Sequence, residues 1–226
     1  MKKIKTTHSE FGGDKKVGGS ILTAVEKKFI KWVIPKLPNW LHTVHLTLAT
    51  IPISVALIYF GYLCQKNMAW IWGISVCIFL QWLTDSLDGS LGKYRNTGLI
   101  KWGFYMDHFL DYFFLCSLVA AGYFLSPAGV EIWFFVIGFI LSGFMINSFL
   151  AFSATNKFEI YHAGFGPTEF RLLMIGINTF IYYFGTTYFT WLMPVLCLLC
   201  FIVLAVYTLK IQKQLWDIDM TQKQKN

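Results

Sequence analysis

An all-α integral membrane protein, with six transmembrane helices behind an N-terminal amphipathic interfacial helix, is expected of this chain on three grounds. Of its 226 residues, 56% are apolar and only 14% charged, against roughly 45–50% and about 25% in soluble domains. The mean hydropathy is +0.54. Apolar segments that approach the roughly 20 residues needed to cross a bilayer recur at 46–64, 68–87, 103–125, 132–153, 170–188 and 190–209.

Residues 1–20 are polar and rich in Lys and Gly, which predicts a mobile cytoplasmic N-terminus and no signal peptide. The interfacial helix is expected over 21–36. Its apolar side takes Ile21, Val25, Phe29, Ile30 and Val33, and its polar side Glu26, Lys27, Lys28 and Lys31, a pattern suited to anionic headgroups. Pro35 and Pro38 stop it. The six-span domain should then occupy 37–211, leaving 212–226 as a cytoplasmic tail.

Charge sets the orientation. Nine Lys precede the first span, Lys93, Arg95 and Lys101 lie in 88–102, Lys157 and Arg171 in 154–171, and four Lys in the tail; the other side has Lys66 alone. A bias of eighteen to one places both termini and both loops in the cytoplasm by the positive-inside rule. The net charge of +7 is thereby explained by topology and lipid, and no nucleic-acid partner is expected. The five cysteines all lie in apolar runs, so they read as packing thiols, without a disulfide framework or zinc site.

Polar residues tolerated by so apolar a chain point to its chemistry. Asp85 and Asp88 close the second span, and Asp107 and Asp111 sit early in the third. Spacings of three and four put each pair on one helix face, and the short connection brings the two helix ends together. At mid-bilayer each Asp costs roughly 2.5–3.5 kcal/mol, so four would cost on the order of 10 kcal/mol at most. A divalent cation is the economical compensation, and oxygen-only ligands suit magnesium, manganese or calcium better than zinc.

Gly89, Gly92, Gly98 and Gly103 lie between these acids, with Lys93, Arg95 and Lys101 interspersed. Small residues permit close approach or leave room for a ligand, and cations beside a metal cluster point to a phosphorylated substrate. Glu169 and Arg171 fall on the same side and are candidates to line the cavity, although Gly166-Pro167-Thr168-Glu169 also reads as a helix start. His42, His45 and His162 read as interfacial polar residues.

The stretch Asp85-Ser-Leu-Asp88-Gly89-Ser-Leu-Gly92-Lys93, followed by Gly103-Phe-Tyr-Met-Asp107-His-Phe-Leu-Asp111, resembles the motif of the CDP-alcohol phosphotransferase (CDP-alcohol phosphatidyltransferase) family, D-x2-D-G-x2-A-R-x8-G-x3-D-x3-D. All six fixed Asp and Gly positions are retained. Gly92 stands where Ala is usual, Lys93 where Arg is usual, and the gap before Gly103 has one extra residue, which reads as a divergent member. Lys lacks the bidentate fork that Arg offers a phosphate, and Arg95 is the residue nearby that carries one.

The resemblance implies transfer of a substituted phosphate from a CDP-linked donor to an alcohol, with release of CMP, at a cytoplasmic site holding two divalent ions, Mg2+ or Mn2+. Asp85, Asp88 and Asp107 would ligate metal, and Asp111 would complete that site or act as the base. Gly89 and Gly92 would leave room for cytidine, and Lys93 or Arg95 would hold the pyrophosphate. His108 is a rival base. Partners would be the donor, a lipid or small alcohol acceptor and membrane lipids, and the family often forms homodimers.

Asp107-His108 and Gly166-Pro167-Thr168-Glu169 resemble the choline and ethanolamine phosphotransferases, which join a CDP-amino-alcohol to diacylglycerol. Glu169-Phe-Arg171 partly echoes the members that use CDP-diacylglycerol and a small polar alcohol. A cation transporter is the alternative from another class, but it would place its acids near mid-membrane on repeat-related helices, and no internal repeat is apparent.

Overall fold

Backbone crossing lipid must satisfy its own hydrogen bonds, which leaves helix as the element for such apolar segments. The computed structural model describes residues 16–17, 22–155, 158–159 and 166–225. Its helices are α1 (Thr23–Val33), α2 (Thr43–Leu48), α3 (Thr50–Cys64), α4 (Ile71–Arg95), α5 (Ile100–Leu125), α6 (Glu131–Thr155), α7 (Pro167–Phe184) and α8 (Phe189–Lys225). A two-residue parallel pairing joins Lys16–Val17 to Phe158–Glu159. The mobile segment expected over 1–20, Lys16 and Val17 apart, lies outside the described residues, as do Ile21, Lys157 and His162.

Among the described residues, five stretches are long and apolar enough to cross a membrane: Thr43–Cys64, Met68–Arg95, Ile100–Leu125, Glu131–Thr155 and Phe189–Gln224. The chain is thus built as a multi-pass membrane protein. The expected fifth of six spans, α7, has 18 residues with Glu169, Arg171 and Asn178 among them and is not one of the five. It nevertheless lies antiparallel along α4. Arg171 meets Asp85 at one end, Asn178 Nδ2 donates to Ser75 Oγ at 3.0 Å further along, and the Tyr182 and Trp72 rings meet at 5.6 Å at the other end.

Two helices outrun their expected ends. α4 continues through residues 88–95, expected as connection, because Leu87 and Leu91 are buried there and no proline intervenes. It stops at Asn96, whose φ of 51° is left-handed. α8 continues to Lys225 because KIQKQLWDIDMTQKQK contains neither Gly nor Pro. Its 37 residues reach about 55 Å, nearly twice the roughly 30 Å of bilayer hydrocarbon.

The main core joins Leu57, Ile71, Ile74, Ile78, Phe114, Ile137, Ile181 and Met193, so α3 to α8 share it. α3 and α5 approach closely: a Cβ on Gly61 would stand 2.7 Å from Ala121 Cα, the small-residue contact common between membrane helices. All five cysteines are free thiols.

A second cluster of Ile30, Ile34, Leu46, Leu87 and Leu91 seats α1 on α2 and α4. Here the expected faces of α1 are corrected. Ile30 is buried and Val33 partly so, but Val25 is 66% exposed and Phe29 37%. Glu26, expected on the solvated Lys side, instead turns into the fold. The inner face therefore combines apolar residues with one acid, leaving Val25, Phe29 and Trp32 as an exposed apolar strip beside exposed Lys27, Lys28 and Lys31.

Candidate active site

The last three turns of α4 and the first three of α5 carry the four aspartates, and a four-residue turn over 96–99 folds one helix against the other. One carboxylate oxygen each from Asp85, Asp107 and Asp111 falls within 4.8 Å of the others. Three acids that close repel one another unless a cation stands among them. Arg171 from α7 supplies one: its Nη2 lies 2.8 Å from Asp85 Oδ2 and 3.8 Å from Asp111 Oδ1.

Asp88 stands apart from that group. It is buried, and its Oδ2 accepts a hydrogen bond from Thr47 Oγ1 at 2.9 Å. Gln81, one turn before Asp85 and 1% exposed, donates from Nε2 to Asp111 Oδ1 at 3.2 Å. Neither Thr47 nor Gln81 was among the sequence candidates. A polar residue within Phe-Leu-Gln81-Trp-Leu, four before an Asp, was a readable signal for Gln81; nothing in the sequence marks Thr47.

A wall of hydrogen bonds stands beside these acids. Ser86 Oγ donates to Glu26 Oε1 at 2.9 Å, Thr168 Oγ1 to Glu26 Oε2 at 2.7 Å, and Trp82 Nε1 to Thr168 Oγ1 at 3.2 Å. Phe29 stacks on Trp82 at 6.0 Å. One carboxylate thus ties α1 to both α4 and α7. Glu169 accepts from Gly166 N at 3.1 Å and from Leu22 N at 2.9 Å, which caps α7 and anchors the chain entering α1.

The remaining candidates separate. Arg95 directs its guanidinium at the carbonyl oxygens of Leu37, Pro38, Asn39 and Leu41, clamping the segment ahead of α2 to the end of α4. Lys93 is exposed on the same turn. His108 Nδ1 bonds the carbonyl oxygen of Phe104 at 2.7 Å, and its ring packs against Phe104 and Phe149. A Cβ on Gly89 or Gly103 would meet nothing within 4 Å, whereas one on Gly92 would touch Thr43 Oγ1 at 3.4 Å, so Gly92 has space for the usual alanine.

This donor set fits a hard divalent cation. Its converging ligand atoms are all carboxylate oxygens, on two rigid helices packed into one core. Comparison with curated proteins gave no match, nor did comparison with solved structures. The sequence model of the CDP-alcohol phosphatidyltransferase family matches residues 35–209, from the end of α1 to within α8. That family transfers substituted phosphate groups from a CDP-alcohol to an acceptor and uses divalent metal. With its motif acids gathered at one helix junction and the match covering most of its length, the chain belongs to the CDP-alcohol phosphatidyltransferase family.

Proposed function

We propose that this enzyme transfers the phospho-amino-alcohol of CDP-choline or CDP-ethanolamine to diacylglycerol, releasing CMP. The convergence of Asp85, Asp107 and Asp111 within 4.8 Å carries the reading of the site. The branch rests on the resemblance at His108 and Gly166–Glu169. An open apolar groove of about 280 Å³ between α5 and α6, lined by Tyr112, Cys116, Val119, Phe135 and Phe139, suits lipid chains in either branch. An acceptor delivered from the bilayer could lay its chains there.

The acceptor hydroxyl oxygen attacks the phosphorus bearing the amino-alcohol. The bond from that phosphorus to the bridging oxygen breaks, and the electron pair leaves with CMP. Asp111 takes the hydroxyl proton, held in place by Gln81. Asp85 and Asp107 would hold Mg2+ or Mn2+, with Asp88 completing a second site and Asp111 a ligand in the alternative role. Bound cation supplies neutralisation of the charge growing on the departing phosphate. Lys93 holds the pyrophosphate electrostatically, since the Arg95 fork is engaged by backbone carbonyls. Open space at Gly89 admits the cytidine.

We read α7 as a sixth crossing. Its antiparallel course along α4 supports this. So does charge, since an odd number of crossings would put the nine N-terminal Lys and the four of the tail on opposite sides. Both termini and the aspartates then face the cytoplasm, with α1 in the interface and its Lys row toward anionic headgroups.

The test is CMP release by the purified protein in lipid vesicles with Mg2+. CDP-choline or CDP-ethanolamine plus diacylglycerol should release CMP, and Asp107→Ala should abolish it. Release only from CDP-diacylglycerol with small alcohols would move the enzyme to the other branch.

A further inference from the structure

Arg171 is a long cation placed inside the group of oxygens that suits a metal. Its Nη2 bonds Asp85 Oδ2 at 2.8 Å and lies 3.8 Å from Asp111 Oδ1, and only 12% of its side chain is exposed. The same two carboxylates belong to the cluster whose oxygens converge within 4.8 Å. A guanidinium and a divalent ion therefore draw on shared oxygens and repel each other across a few ångströms. α7 is anchored around this residue by the Glu169 bonds to Gly166 and Leu22 and by the Thr168 bond to Glu26. The backbone under Arg171 is thus held, so any movement of the guanidinium away from Asp85 has to come from rotation of its own side chain.

We propose that Arg171 is a built-in competitor of the metal that couples metal loading to phosphate binding. When cation binds the acids, the guanidinium gives up Asp85. Its planar fork then turns to a phosphate oxygen of the donor, a geometry that Arg matches in two parallel hydrogen bonds and Lys does not. Metal without donor is disfavoured because Arg171 has nowhere better to go, and donor arriving with metal gives it a new anion. The effect is reciprocal by thermodynamic necessity: whatever the donor adds to metal affinity, metal adds to donor affinity. This rests on the proposed reaction for the identity of the phosphate ligand, but not for the competition itself.

The test reads Mn2+ binding by electron paramagnetic resonance on the full chain in lipid, with no turnover involved. Arg171→Met should bind Mn2+ at least about tenfold more tightly than wild type, the scale on which a unit charge a few ångströms away acts in a partly buried site. Arg171→Lys should fall between them. CDP should then strengthen Mn2+ binding less in Arg171→Met than in wild type. Unchanged or weaker Mn2+ binding in both variants would overturn the competition and make Arg171 an organiser of the carboxylates. Tighter binding in both, with an undiminished CDP effect, would overturn the coupling. Absence of CMP release from every donor would sink the proposed reaction but leave the Mn2+ comparison to decide this inference.

Discussion

Glu26 and Thr168 stand 142 positions apart in the chain, and their side chains meet at 2.7 Å. The other oxygen of the same carboxylate accepts from Ser86, next to Asp85. An acid on a peripheral helix thus bridges the two helices that deliver Asp85 and Arg171. Glu26→Ala leaves two hydroxyls without their acceptor, a loss of about 1.5–3 kcal/mol for hydrogen bonds to a charged group. In detergent the unfolding midpoint should fall by about 3–12 °C for a chain of this size. An unmoved midpoint would show that the bridge contributes nothing.

Asp111 is the acid to which the proton is assigned. Asp111→Asn should lower turnover by about 10²–10⁴-fold, the usual contribution of a general base, while CDP still binds in a metal-dependent way. If metal-dependent CDP binding disappears together with turnover, Asp111 is a ligand and the base lies elsewhere.

Lys93 and Arg95 share one helical turn but have different surroundings. Lys93→Ala should weaken donor binding without moving the unfolding midpoint. Arg95→Lys should lower stability by about 1–3 kcal/mol, because an ammonium cannot reach the spread of carbonyls between Leu37 and Leu41, and should leave donor affinity within about twofold. Titration calorimetry with CDP and a thermal melt on each variant separate the roles, and the reverse pattern would exchange them.

Two glycines make a matched pair. At Gly61 a side chain would run into the backbone of Ala121 at 2.7 Å, whereas at Gly92 the first neighbour is 3.4 Å away. Gly61→Val should destabilise by about 1–3 kcal/mol through overpacking, and Gly92→Ala should stay within about 0.5 kcal/mol of the parent. Thermal melts of the two purified variants check both, and a tolerated valine at 61 would contradict the close crossing of α3 and α5.

Much of this site is written in local spacing. Intervals of three and four, and a short connection, suffice to gather Asp85, Asp107 and Asp111, because helix geometry turns sequence distance directly into direction. Arg171 could be nominated from its side of the membrane, yet its pairing with Asp85 depends on α7 lying along α4, which no local pattern encodes. Glu26 shows the opposite failure. A helical wheel assigns it to water with its Lys neighbours, and only Ser86 and Thr168, brought from distant segments, make the inward position favourable. Hydropathy alone ends α4 and α8 early because it marks where lipid stops, and a helix of good formers continues past that boundary.

The pairing of Asp85 with Arg171 spans 86 residues, so a ribosome working at about 5–20 residues per second needs roughly 4–17 s between them. During that interval the acidic ends of α4 and α5 are already made and their partner is not. Membrane insertion of this enzyme therefore passes through a stage in which the nascent chain carries these carboxylates without Arg171, and cations in the surrounding solution are a counter-charge within reach. Biogenesis, as well as turnover, should then depend on the ionic environment, with the acidic junction closing only when α7 is delivered.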